Sequence, residues 1–101
     1  MHSETRRVVV QRVEIMSNDD AGAALAALKA GGYAMGPDWE TAHNICQGHE
    51  GEALFDRIHA LCHRIEGDTW NAGYWYRRAG VAPFEGSFAE EAAAIGAAAG
   101  A

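Results

Sequence analysis

Residues 52–80, EALFDRIHALCHRIEGDTWNAGYWYRRAG, carry two helix-period patterns separated by Gly67 and Asp68, and that break dictates a helical hairpin. In the first pattern Leu54, Phe55, Ile58, Leu61, Cys62 and Ile65 recur at the spacing that gathers side chains on one helix face. A second row, Glu52, Asp56, His59, His63 and Glu66, advances by four, three, four and three residues and forms a separate polar face. Glycine accepts the left-handed backbone that closes a helix, and an aspartate just after it can accept the free N–H groups that open the next. Ala72, Trp75, Tyr76 and Ala79 then repeat the inward spacing up to a second stop at Gly80. The chain is therefore expected to be all-α, a small bundle of four to five short helices around this central hairpin.

The flanks supply the remaining helices. Ser17, Asn18 and Asp19 offer capping oxygens for a helix through Ala21, Ala24, Leu25 and Leu28 that stops at Gly31 and Gly32. Gly36 and Pro37 open the next, because proline suits a first turn whose N–H has no partner within the helix. Its inward stripe is Trp39, Ala42, Ile45 and Cys46. Residues 81–86, with Pro83, form a linker, and Ser87 followed by Glu90 is a capping-box pattern that starts an alanine-rich last helix. Residues 7–16 are valine-rich and compatible with an extended arm or a helix, so residues 1–18 are expected to form an irregular arm. The core is expected from Trp39, Phe55, Ile58, Leu61, Ile65, Trp75 and Tyr76.

A chain of 101 residues makes one domain with a modest core. Much of its 49% apolar content is small alanine, so completing the core as a homodimer is one option. A net charge of −6 with eight Lys and Arg argues against a phosphate-binding surface, and nucleic acid is not an expected partner. No apolar run approaches the ~18 residues of a membrane span. Residues 1–16 lack the continuous apolar centre of a signal peptide, so a soluble, cytoplasmic protein is expected. Cys46 and Cys62 have no metal-site or redox spacing and read as buried, reduced thiols.

Across residues 39–80 the chain resembles a group of short uncharacterised bacterial proteins with W..AH, IHA.LHR.EGD and NA.YWYRRAG segments. Here these are Trp39, Ala42 and His43, then residues 58–68 with Cys62 inside, then residues 71–80. The resemblance implies a helical fold. The second half of the hairpin is also similar, over about a dozen residues, to a helix of tetratricopeptide or Sel1-type repeats: Gly67 and Asp68 stand at the turn, and Ala72, Tyr76 and Ala79 keep the small, aromatic, small spacing.

Two constellations could carry chemistry. Glu40 and His43, Asp56 and His59, and His63 and Glu66 each place a carboxylate and an imidazole three residues apart on one helix face. Carboxylate-bridged di-metal bundles use such pairs. A mononuclear site is simpler, since histidines at i and i+4, here His59 and His63, can grip one ion together with His43 or Glu66. Zinc, iron or manganese are the metals considered. The same residues, with Asp68 and Asn71, could instead form a satisfied polar network or a half-solvated face, and His49 reads as a loop residue. The second constellation is the strip Trp70, Tyr74 and Arg77, whose residue types dominate protein interfaces. No oxyanion hole, phosphate loop or cofactor fingerprint accompanies either, so catalysis is less expected than binding. Two functions follow: an interaction or small-ligand-binding module, and a metal-binding protein, with a metal-dependent hydrolytic or redox activity as its extension, centred on His59 and His63.

Overall fold

In a computed structural model of the chain, residues 19–100 are described; the expected arm 1–18, with Ser17 and Asn18, lies outside them. The described residues form five helices and no strand. These are α1 (helical residues 19–30), α2 (Pro37–Gln47), α3 (Ala53–Glu66), α4 (Thr69–Ala79) and α5 (Phe88–Gly100).

The punctuation works as the sequence implies. Helix α3 closes on Gly67 at φ 86°, and the Asp68 side chain accepts a hydrogen bond from the Asn71 N–H to open α4. At α5 the capping box is reciprocal: the Glu90 N–H donates to Ser87 Oγ at 3.0 Å, and the Ser87 N–H donates to Glu90 Oε1 at 2.9 Å. Gly31 is needed for another reason. A Cβ there would stand 2.8 Å from Cβ of Asp38, so the end of α1 meets the start of α2 only because that atom is missing.

Helix α3 is the hub, packing against α2, α4 and α5. Its apolar face joins Leu28 of α1, Trp39 of α2 and Ile95 of α5 in the main core, alongside Phe55, Ile58 and Leu61. Complete burial of side chains such as Ile58 and Leu61 contributes about 1.5–3 kcal/mol each. A smaller cluster, Ala60, Ala72, Trp75 and Tyr76, holds α4 to α3 with Phe84 of the linker laid against it. Of the expected core residues only Ile65 is partly exposed, where it packs at the margin of the main cluster. Cys46 and Cys62 are free and buried in that cluster, and the contact between them, with burial, pushes the Cys46 thiol up.

Helix α5 is stapled rather than merely packed. Glu91, only 2% exposed, receives Arg64 Nη1–H at 2.6 Å on Oε1 and the Tyr76 hydroxyl at 2.6 Å on Oε2. Arg64 Nη2–H reaches on to the Gly86 carbonyl at 2.8 Å, so one guanidinium holds both the linker and α5. Burial and the Glu91 carboxylate push the Tyr76 hydroxyl up and keep it a donor. At the opposite end His49 clasps α1 to the α2–α3 loop, with Nε2 2.9 Å from Asp20, Nδ1 2.8 Å from Glu52 and its ring stacked on Phe55.

Candidate metal centre

Eight of the fourteen residues of α3 are buried, among them Asp56, His59 and His63. The middle of the polar row is therefore not solvated, since α2 and α4 cover Asp56, His59 and His63, whereas Glu52 and Glu66 at its ends are exposed. Exposure falls to 1% at Asp56, 2% at His59 and 9% at His63. Ala42 and Cys46, both fully buried, let α2 approach α3 closely, and His43 on the same helix then reaches the histidines of α3.

His43, His59 and His63 converge. One ring nitrogen of each lies within 4.8 Å of those of the other two. His43 and His59 meet Nε2 to Nε2 at 3.1 Å. That is a hydrogen-bond distance, one neutral ring donating to the other, and it is also close to the roughly 3.3 Å that separates two nitrogens bound at ~2.0–2.1 Å to one tetrahedral ion. Two tryptophans wall the trio. Trp39 stacks on His43 at 4.7 Å, and Trp75 stacks on His59 at 3.8 Å. Trp39 is itself fixed, since its Nε1–H donates to the Cys62 carbonyl at 2.8 Å.

The electrostatics favour lone pairs over protons. Burial, reinforced by His43 and His63, pushes His59 down to about 3. His43 is lowered by burial and by His63, with Glu66 and Glu50 pulling part of the way back. At neutral pH both rings are uncharged, the state in which imidazole binds a metal. On the third ring, Nδ1 faces Glu66 Oε1 at 2.8 Å. A carboxylate there holds the proton on Nδ1 and leaves Nε2 as the donor, the arrangement that orients metal-bound histidines in general.

The remaining candidates divide. Glu40 is exposed on α2 and takes no part in the trio. Asp56 is turned away, accepting the Gly51 N–H on Oδ1 at 3.2 Å, while its buried Oδ2 has no partner among the described residues. Asp68 and Glu66 come within 4.8 Å of His63 as a second grouping, but Asp68 is engaged by the Asn71 N–H and side-chain amide at 3.1 and 2.6 Å. Those bonds hold its carboxyl below the usual range. Trp70, Tyr74 and Arg77 line an exposed strip of α4, with Trp70 73% and Tyr74 37% exposed.

Two contributors were not visible as such in the sequence. Trp39 stands four residues before His43 and thus on its face, a usable signal, but its role reads as core alone. Trp75 reaches His59 from a different helix, and no spacing rule encodes that meeting.

One polar atom of the trio is left over whether or not Nε2 of His59 serves as a ligand. Buried polar atoms are nearly always paired, yet His59 Nδ1 has no hydrogen-bond partner among the described residues. Comparisons with family models, curated proteins and solved structures return no match, so the geometry carries the functional reading.

Proposed function

We propose that the protein binds one transition-metal ion between α2 and α3, with His43, His59 and His63 as ligands. The convergence of the three imidazoles carries this reading. An all-imidazole donor set suits zinc and its later first-row neighbours and is poor for magnesium, calcium or manganese, which favour oxygen. A carboxylate-bridged pair of metals fits less well, because Glu40 and Asp56 stay away from the trio and Glu66 is occupied in orienting His63. The net charge of −6 draws cations toward the surface. A metal so placed ties α2 to the hairpin. Among the described residues no helix is long and apolar enough to cross a membrane, and cytoplasmic metal binding is the setting proposed.

Protein purified without a histidine tag is expected to hold one equivalent of zinc by elemental analysis. Zinc at about 100 times Kd should add roughly 2.7 kcal/mol of stability, read as a rise in melting temperature. Glu66→Gln, which removes the carboxylate behind His63, should weaken binding by about 10–100-fold. Less than stoichiometric metal, together with no thermal gain from zinc, iron or manganese, would overturn the proposal.

A second reading, an interaction or small-ligand-binding module, is favoured by one observation: Trp70 offers most of its indole to solvent beside Tyr74 and Arg77. Recovery of the same partners on wild-type protein and on the Tyr74→Ala/Arg77→Ala double variant would count against that strip.

A further inference from the structure

On another flank of α3, behind the Arg64–Glu91–Tyr76 staple, lies a cavity of about 350 Å3 between α4, the linker and the start of α5. That volume is at the lower end of small-molecule sites, and the walls have their usual makeup of apolar surface with a few convergent polar groups. Phe84 and Phe88 supply aromatic surface, Ala72 and Gly73 a shallow helical floor, and Thr69 and Arg64 the polar margin.

Arg64 is the one charged side chain among the residues that line it. Arg64 spends one N–H on Glu91 and one on the Gly86 carbonyl, which leaves donors over from a guanidinium that has five. Arg77 flanks the floor: its Nη1 lies 3.4 Å from where a Cβ on Gly73 would stand. The neighbouring carboxylates keep their charge but aim it away from the lining, Glu91 at Arg64 and Tyr76, where it offsets part of the Arg64 charge, and Glu90 at the Ser87 amide, which leaves Arg77 as the second uncommitted cation. Gly73 adds an independent sign. A glycine in the middle of a helix costs about 1 kcal/mol relative to alanine, and here it keeps the floor of the cavity low.

We infer that this cavity binds a small aromatic carboxylate, its ring between Phe84 and Phe88 and its acid group toward the spare N–H donors of Arg64 and Arg77. A flat ring matches the aromatic walls, and a carboxylate matches a guanidinium better than any neutral oxygen does. The site is separate from the histidine trio and needs no metal.

The test is a titration of the full chain with 2-naphthoate, followed by amide chemical shifts, beside the neutral 2-naphthalenemethanol. Saturable shifts centred on Thr69, Ala72 and Gly73 are expected, with a Kd below about 1 mM and the acid at least about tenfold tighter than the alcohol. Gly73→Leu, which fills the cavity from α4, should abolish binding. Should that variant not fold, Phe84→Ala, which removes one wall at the surface, should weaken binding about tenfold. Shifts centred elsewhere, equal affinity for acid and alcohol, or undiminished binding by the folded variant would each overturn the assignment.

Discussion

Replacing Glu91 by alanine is expected to destabilise the fold by about 3–5 kcal/mol, the usual cost of removing one partner from a buried ion pair. The loss has three parts. Arg64 keeps its charge without its carboxylate, the Tyr76 hydroxyl loses its acceptor in the interior, and the buried methylenes of Glu91 leave a gap. Small domains have about 5–15 kcal/mol in all, so much of the total is at stake. Each kcal/mol shifts the melting temperature by about 4–8 °C at this size, and thermal or urea unfolding will read the change directly. Glu91→Gln, which keeps the shape and an acceptor, should cost less. An alanine variant within about 1 kcal/mol of wild type would show that α5 is held by packing alone.

The second large effect concerns His59. In the metal-free protein its folded pKa is depressed to about 3 from an ordinary 6.5, so between those values the unfolded chain takes up a proton that the folded chain refuses. Stability attributable to His59 is present above pH 6.5 and is lost as pH falls, by about 1.4 kcal/mol for each unit. His49 has the opposite sign. Its carboxylate partners raise it, so its contribution is full below pH 6.5 and fades as pH rises; the exposure of Asp20 and Glu52 keeps that term small. Metal-free protein should accordingly unfold more readily at pH 5 than at pH 7. His59→Leu should reduce that dependence to the part that His43, also lowered by burial, contributes; it deletes the unpaired Nδ1 but also the Nε2 partner of His43, and it should weaken zinc binding by more than about 100-fold. Unchanged acid sensitivity in the variant would refute the account of the buried ring.

What the sequence disclosed was mostly local. The glycine and aspartate between α3 and α4, the proline opening α2, and the Ser87–Glu90 box act within a few residues of themselves, and each was readable for that reason. The ligand face was half readable: i and i+4 spacing unites His59 and His63, but the arrival of His43 depends on how closely α2 meets α3. Glu91 was missed. It sits among exposed-looking acids in the first turn of an alanine-rich helix, and only Arg64 and Tyr76, 27 and 15 residues earlier, draw it inward. The choice between a buried network and a half-solvated face on α3 stays open in the sequence, because α2, α4 and α5 cover Asp56, His59 and His63 from a distance and the periodicity of α3 cannot report them.

His63 and Arg64 are neighbours in sequence, yet the first turns toward the imidazole trio and the second toward α5, the linker and the cavity. Adjacent positions on a helix diverge by about 100°, so one turn of α3 serves two unrelated structures at once. A slip of α3 along its axis therefore cannot spare either. Variation in this protein should be pleiotropic along 59–64 and modular elsewhere: the exposed strip of α4 and the outer face of α1 are free to diverge, whereas this one turn is bound by two obligations.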